Sequence, residues 1–327
     1  MTKLVTIYGG SGFVGRYIAR QMAKEGWRVR VAVRRPNEAL FVKTYGSVGQ
    51  VEPVLANIRD DASVRAAMQG ADAVVNCVGT FDAGGKNNFD AVQNAGAGRI
   101  AKIAAELGVS KMVHLSAIGA DAGSDSAYQV SKAAGEAAVL AHMPDAMILR
   151  PSVIFGAEDQ FFNRFAQMTL ISPVLPLVGA NTQFQPVAVT DVAKAAVAGA
   201  SGAAPGGVYE LGGPDAASFR DLMGSMLDEI QRRSVMLNIP FFAARILANV
   251  LGAAQALTLG LFHNSILTSD QVRSLKYDNV VPADAKGFAD LGIEPKSMEA
   301  VLPTYLWRFR PSGQYAAIKD SAKNLRA

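Results

Sequence analysis

The stretch Leu4-Val5-Thr6-Ile7-Tyr8 runs directly into Gly9-Gly10-Ser11-Gly12-Phe13-Val14-Gly15, and this junction decides the fold. The residues before the glycines are apolar or β-branched, which predicts a buried strand. Residues 13–25 carry apolar side chains at three- and four-residue spacing, which predicts a helix. The glycines therefore lie in a tight turn between a strand and a helix, where their conformational freedom is needed.

The same alternation continues to about residue 150. Short runs rich in Val, Ile and Leu predict strands near 3–8, 29–33, 51–55, 73–78, 111–115 and 146–149. Helical periodicity predicts helices near 13–25, 61–69, 90–107 and 127–142. Strands that alternate with helices are typical of βαβ units. We therefore expect an α/β fold with a Rossmann-like, doubly wound parallel sheet.

The pattern changes after Arg150-Pro151. Helices are predicted near 159–170 and 191–200, and a strand at 207–211. From 218 onward the pattern is mostly helical and includes the apolar segment 240–262. We expect a nucleotide-binding domain over 1–153 and a smaller, mostly helical domain over 154–327, with an interleaved boundary.

Composition excludes several classes of protein. Of the 327 residues, 50% are apolar and 18% are charged, which is incompatible with a disordered or fibrous chain. The single cysteine, Cys77, excludes a disulfide framework. The three histidines, 114, 142 and 263, form no cluster at metal-ligand spacing, so no metal is expected. The chain enters its first strand almost at once and has no uninterrupted apolar run of about 20 residues, so neither a targeting peptide nor a membrane span is expected.

The net charge of +4 is concentrated at the C-terminal end. From Pro303 onward there are five cations and one anion, so that residues 1–302 hold equal numbers of each sign. A nucleic-acid partner is therefore not expected. The basic tail is equally compatible with a solvated terminus and with a docking segment for an acidic partner.

The glycine turn predicts a dinucleotide site. Glycines 10, 12 and 15 satisfy G-x-G-x-x-G, and glycines 9, 12 and 15 suit a related turn. Such a turn lets backbone N–H groups approach a pyrophosphate at the N-terminus of the helix. At the end of the second predicted strand, where NAD sites carry an acid, the sequence has Arg34 and Arg35. A guanidinium there favours NADPH, although two exposed arginines after a strand would look the same.

A second group of residues could serve hydride transfer. Tyr128 and Lys132 are four residues apart, which places both side chains on one face of a helix, and Ser116 ends the fifth predicted strand. In such a site the tyrosine is the general acid or base, the lysine lowers its pKa, and the serine orients a carbonyl. The alternative is a helix whose Tyr and Lys only pack against their neighbours.

Together, these motifs resemble the extended or atypical short-chain dehydrogenase/reductases. The residues that carry this resemblance are 9–15, 76–79, Ser116, Tyr128, Lys132 and 150–156. Further segments resemble one branch, the NADPH-binding accessory subunit of respiratory complex I in its alphaproteobacterial form. These segments are 88–92, 114–121, 124–128, 158–165, 267–271 and 278–281.

The resemblance implies a role for individual residues around NADPH. The pyrophosphate would contact Gly9, Ser11, Gly12, Phe13 and Val14. Arg34 would bind the 2′-phosphate, and Ile58 would flank the adenine, although Asn57 replaces the more usual Asp. The nicotinamide half would be lined by Val78, Gly79, Ser116, Tyr128, Lys132, Pro151 and Val153.

The resemblance also implies a structural role on the peripheral arm of complex I, near its junction with the membrane. The partners would be other complex I subunits and the membrane surface, on the cytoplasmic face of the bacterial inner membrane. The retained Ser116, Tyr128 and Lys132 keep a second hypothesis open, a free NADPH-dependent reductase or epimerase. A redox-sensing regulator that binds NADPH is a third, since one fold serves all three functions.

Overall fold

The computed structural model describes residues 2–81, 84–257 and 268–315. Its strands are β1 (Leu4–Tyr8), β2 (Arg28–Val33), β3 (Val51–Leu55), β4 (Ala73–Asn76), β5 (Lys111–Leu115), β6 (Met147–Pro151), β7 (Ile154–Phe155), β8 (Val174–Val178), β9 (Gln183–Phe184), β10 (Val187–Ala188), β11 (Gly207–Leu211), β12 (Ala217–Ser218) and β13 (Val235–Ile239). Its α-helices are α1 (Phe13–Lys24), α2 (Asp61–Met68), α3 (Ala95–Glu106), α4 (Ala127–Leu140), α5 (Phe162–Ile171), α6 (Val189–Ser201), α7 (Phe219–Glu229), α8 (Phe241–Leu257), α9 (Ser269–Ser274), α10 (Met298–Val301) and α11 (Pro303–Leu306).

Within the described residues, one parallel sheet has seven strands in the order β11-β6-β5-β4-β1-β2-β3. From β1 the chain adds β2 and β3 on one side, and then adds β4 and the later strands on the other side. The carboxyl ends of β1 and β4 lie at the same edge of the sheet. In doubly wound sheets this switch point is where ligands bind. The predicted α/β fold is confirmed.

The strand predictions agree with the structure to within two residues, but two helical segments differ from expectation. The segment 90–107 begins with a π-helical turn at Asp90–Asn94 before α3 starts. The segment Pro36–Tyr45, for which no helix was predicted, forms 3₁₀ turns after β2. The hydrophobic periodicity of the sequence does not indicate either difference. Both helix types differ from an α-helix only in that each hydrogen bond spans one residue fewer or one residue more.

The chain divides into two compact units. The first comprises residues 1–152, 189–212 and 281–295, and the second comprises 153–188, 213–280 and 296–327. A single boundary near residue 153 therefore leaves out two segments that return to the first unit. Segment 189–212 returns because α6 packs on the sheet and β11 pairs with β6. Segment 281–295 returns through the Lys286 carbonyl, which accepts a hydrogen bond from the Glu210 N–H at 2.8 Å.

The second unit has an aromatic core with a buried polar anchor. Phenylalanines surround Phe161 at centroid distances of 5.0–6.1 Å. Asp159, 1% exposed, accepts hydrogen bonds from the Tyr305 hydroxyl at 2.6 Å and from three backbone N–H groups. Arg308 donates to Asn163 at 2.6 Å. The basic tail is therefore not simply a solvated terminus: its first part is anchored, while residues 316–327 lie outside the described residues.

Helix α8 covers most of the apolar segment 240–262, whose last residues lie outside the described chain. It buries Ala244 and Ala248 and exposes Phe242, Ile246 and Val250, which are spaced by four residues. This spacing forms an apolar stripe on one side of the helix. Among the described residues, none of the helices has the length and hydropathy that crossing a bilayer requires.

Candidate nucleotide site

The glycine turn between β1 and α1 is shaped by close backbone packing. Gly9 has a φ of +73°, and a Cβ added there would lie 3.2 Å from the backbone of Cys77 and Val78. A Cβ on Gly15 would lie 2.4 Å from the Gly9 carbonyl oxygen, so α1 can start this close to the turn only with glycine. Gly12, by contrast, is exposed and meets only the Gly9 oxygen.

The N-terminus of α1 has unused donors. Its N-cap residue, Gly12, has no side chain that could cap the helix, and no acidic residue lies in the first turn. The first helical bond is donated by Arg16 to Gly12, so the N–H groups of Phe13 and Val14 have no acceptor among the described residues. Donors of this kind, together with the helix dipole, favour an anion such as a pyrophosphate. The residues present therefore fit a dinucleotide.

Arg34 and Arg35 follow β2 beside this turn, since the Gly9 N–H donates to Ala32 in the same strand at 3.0 Å. Both arginines are exposed. Arg35 pairs with Glu38 at 3.1 Å, whereas Arg34 has no partner within the described part of the chain. Arg34 is therefore a cation available to a phosphate next to the turn.

Ile58 and Asn57, on the predicted adenine side of the site, are both held by local contacts. Ile58 packs on Gly96, where an added Cβ would lie 2.7 Å from its Cδ1 atom. The Asn57 side chain accepts a hydrogen bond from the Arg59 N–H at 3.1 Å and so is engaged by its own loop. Val78 is held by its N–H bond to the Asn76 side chain at 3.1 Å.

Tyr128 and Lys132 lie together on α4, as their spacing predicts. The Lys132 Nζ atom is 5.8 Å from the centroid of the Tyr128 ring and donates to the Leu115 carbonyl at 3.2 Å. Burial lowers the pKa of Lys132 to about 8, against the opposing effect of Glu136. Burial raises the pKa of Tyr128, whose ring stacks on Phe81 at 5.2 Å. Gly79 faces the lysine, because an added Cβ would lie 3.7 Å from its Nζ atom.

Ser116 is buried and donates its hydroxyl proton to Glu136. Glu136 also accepts two hydrogen bonds from Arg150, at 2.9 and 2.6 Å, and Arg150 reaches Glu210 at 3.0 Å. The hydrogen bonds to Glu136 are the largest reason why the pKa of Arg150 is raised. These contacts join β5, α4, β6 and β11 through one charged network.

Pro151 and Val153, two of the residues predicted to line the nicotinamide half, lie at and just after the end of β6. Pro151 is buried and accepts from the Ile118 N–H at 3.1 Å within the first unit. Val153 belongs to the second unit, where it packs against the aromatic core.

Comparisons with known proteins identify the family. Residues 5–212 match the model of the NAD dependent epimerase/dehydratase family. The chain belongs to this family. It is 33% identical over 316 residues to the mitochondrial NADH dehydrogenase [ubiquinone] 1 alpha subcomplex subunit 9 of Arabidopsis thaliana, covering 95% of this chain and 79% of that protein. The mouse subunit of the same name is 30% identical over 90% of this chain and 78% of its own length. Within the family, the chain therefore belongs with the subunit 9 proteins of complex I.

Two further relatives broaden the comparison. A ceramide reductase of Caulobacter vibrioides is 33% identical over 195 residues, 60% of each chain. Among solved structures, a dTDP-glucose 4,6-dehydratase of Streptomyces venezuelae with bound NAD has a TM-score of 0.72 at 19% identity, covering 96% of this chain and 99% of that chain. At this identity the structural match supports the fold alone.

Sequence reasoning missed Glu136, the residue that connects Ser116 to Arg150. A signal was present, because Tyr128, Lys132 and Glu136 are spaced by four and so share one face of α4. It also missed Phe81 and Phe89, which contact the Tyr128 ring at centroid distances of 5.2 and 6.0 Å. No spacing rule indicates these two, because they lie in an irregular segment.

Proposed function

We propose that this family member is an accessory subunit of respiratory complex I that holds NADPH as a structural ligand. Similarity to a subunit 9 protein over 95% of the chain carries this proposal, because a nucleotide site alone is common to many functions. On this proposal the subunit docks on the peripheral arm near the membrane junction. It lies on the cytoplasmic face of the bacterial inner membrane, with the apolar stripe of α8 available to a neighbouring subunit or to the membrane surface.

The residues of the first unit have chemistry that suits each part of NADPH. The glycine turn, through Gly9, Ser11 and Gly12 and the free N–H groups of Phe13 and Val14, would hold the pyrophosphate. Arg34 would bind the 2′-phosphate through a charge-assisted contact, and Ile58 would flank the adenine. The nicotinamide half would lie near Val78, Gly79, Lys132 and Tyr128, with Pro151 as a further lining residue of the first unit. NADPH can supply a hydride when bound in a reactive site.

Two features of the site favour a nucleotide that is held as a structural ligand over one that takes part in catalysis. The Ser116 hydroxyl gives its single proton to Glu136, so it has none to donate to a substrate carbonyl. Burial raises the pKa of Tyr128, which opposes the ionised form that a catalytic base needs. Both observations support a nucleotide that stabilises the subunit.

A free NADPH-dependent reductase is the second candidate. It is favoured by the retained Ser116, Tyr128 and Lys132 and by similarity to the Caulobacter ceramide reductase over 60% of the chain. Substitutions at two positions distinguish the candidates. Tyr128→Phe removes the hydroxyl that catalysis needs, while Gly12→Val adds a side chain where the turn must approach pyrophosphate.

The experiment extracts the protein in mild detergent, identifies the chains that copurify and analyses the bound nucleotide. We expect complex I subunits and a nucleotide with a 2′-phosphate. In the Gly12→Val variant, nucleotide content and retention in the complex should fall together, whereas Tyr128→Phe should leave both unchanged. Recovery only as a free soluble protein, with an NADPH-dependent activity abolished by Tyr128→Phe, would contradict the accessory role.

A further inference from the structure

A cleft in the second unit contains positive charge that the nucleotide site does not use. Its volume is about 410 Å³, and it lies between the end of α5 and the turn that follows α7. Arg232, Arg233 and Ser234 line one side, and Ile171 and Ser172 line the other. Among the residues that the structure describes, none of those lining the cleft is acidic. Its size falls within the usual range of small-ligand sites.

The chain path after α7 brings the two arginines to this cleft in succession. Gln231 adopts a φ of +53°, and the Arg232 N–H bonds back to Leu227. The Arg232 Nε atom donates to the Phe309 carbonyl at 2.8 Å, which anchors its guanidinium and leaves the terminal nitrogens without an acceptor among the described residues. Arg233 is exposed and has no partner in the described part of the chain. The nearby Glu229 is already paired with Arg310.

The helix ends at the cleft do not cancel this charge. Both α5 and α7 end beside it, and each helix C-terminus carries roughly half a negative charge. Two guanidinium groups outweigh these two ends by about one unit charge. The cleft therefore attracts an anion, and paired guanidinium groups suit phosphate oxygens.

The edge of the cleft is apolar and open to solvent. Ile171 is 88% exposed and Leu170 is 49% exposed. Val235, at the start of β13, is 67% exposed and pairs in register with Val174 of β8. An apolar edge next to a cationic cleft matches a molecule that carries a phosphate on a hydrocarbon body.

We propose that this cleft binds the phosphate group of an anionic lipid. The arginines would bind the phosphate oxygens, and Ile171 and Leu170 would contact the apolar part. A soluble phosphate ester has the same charged group but lacks the hydrocarbon, so it would gain nothing from the apolar edge. This inference deepens the proposed function, which brings the subunit to a membrane, but it depends on different residues from those that hold the nucleotide.

Flotation of the full-length protein with vesicles tests the proposal. Neutral phosphatidylcholine vesicles are compared with vesicles that also contain phosphatidylglycerol, and we expect binding to the second kind. Arg233→Glu should weaken that binding on the order of 25-fold, because charge reversal removes two units of attraction near the surface. The matched control is Arg28→Glu, which reverses another exposed arginine in the first unit and should bind like the parent protein.

Two further variants separate the sources of binding. Ile171→Ser should weaken vesicle binding, and glycerol phosphate should compete poorly with vesicles. Replacement of Lys319, Lys323 and Arg326 by Gln should leave the effect of Arg233→Glu in place. The proposal is overturned if Arg233→Glu floats like the parent, if only the tail variant loses binding, or if glycerol phosphate competes fully and Ile171→Ser has no effect. Nucleotide content and copurifying subunits are measured on the same variants, so that failure of the lipid site is distinguishable from failure of the accessory role.

Discussion

Arg34 and Arg35 are adjacent in sequence but differ in what they contact. Arg35 is paired with Glu38, whereas Arg34 has no partner within the described residues. We expect Arg34→Ser to weaken NADPH binding by about 1.5–3 kcal/mol, the value of a charge-assisted contact, and to leave NADH binding unchanged. Arg35→Ser is the control and should alter neither affinity. Calorimetric titration of both nucleotides measures this, and equal losses for NADPH and NADH in Arg34→Ser would exclude a 2′-phosphate contact.

His114 makes the stability of the first unit depend on pH. Its ring is 2% exposed, its Nδ1 atom is hydrogen-bonded to the Asn76 side chain at 3.1 Å, and its Nε2 atom has no partner in the described part of the chain. Burial, with a smaller effect of Lys132, lowers the pKa of His114 from 6.5 to about 3. Between pH 6.5 and about 3, His114 is therefore protonated in the unfolded chain but neutral in the folded chain. The free energy of unfolding therefore falls as the pH drops from about 6.5 towards 3.

His114→Gln removes this titration and tests the assignment. The variant should have a lower free energy of unfolding at neutral pH, because a buried side chain is altered, but a flatter decline towards acid. Urea unfolding of both proteins at several pH values between 7 and 4 measures the two slopes. Parallel curves for parent and variant would show that other groups cause the acid sensitivity.

What the sequence could predict at the residue scale was set by local spacing. The four-residue spacing of Tyr128 and Lys132 predicts that they share one helix face. The position of Arg34 just after β2 indicates a candidate ligand for the 2′-phosphate. The partner of Ser116 could not be predicted in the same way, because Glu136 lies twenty residues further on and its approach depends on how α4 packs on the sheet. Contacts of Arg150 with Glu210, sixty residues away, depend on β11 joining the sheet.

At the scale of elements, strongly periodic segments were predicted well and irregular ones were not. Each strand of the sheet has a short run of mostly apolar residues that stands out from the helices around it. The sequence pattern predicts ordinary helix at Asp90–Asn94 and not a π-helical turn, because the extra residue of the turn leaves the apolar pattern almost unchanged. The pairing of β13 with β8 is not predictable from the sequence pattern, since β13 exposes two of its four apolar side chains, Val235 and Leu237.

Helix α4 meets this π-helical turn through Gly135. A Cβ added there would lie 2.2 Å from the Gln93 carbonyl oxygen, a backbone atom that cannot move aside alone. We expect Gly135→Ala to cost about 3 kcal/mol of unfolding free energy. The matched control is Gly224→Ala in α7, where nothing lies within 4 Å and the change should add about 1 kcal/mol of stability. Denaturant unfolding of the two variants measures the effects, and the same sign for both would contradict this packing.

At the scale of the whole molecule, the first unit is assembled from three separated parts of the chain, 1–152, 189–212 and 281–295. The proposed nucleotide contacts lie almost entirely in the first of these parts. The others join through backbone pairing, as in the bond from the Glu210 N–H to Lys286 at 2.8 Å. A ligand that stabilises the folded unit must therefore slow the opening of all three parts.

Hydrogen exchange with and without NADPH tests this coupling. At a hundredfold excess over its dissociation constant, a ligand specific to the folded state adds about 2.7 kcal/mol. Amides that exchange through opening of the whole unit should slow in all three parts, including 207–211 and 281–295, and by the same factor of roughly 100. The Gly12→Val variant is the control and should show no such slowing. Protection confined to the glycine turn would mean that NADPH binds without stabilising the unit, and its role as a structural ligand would then be wrong.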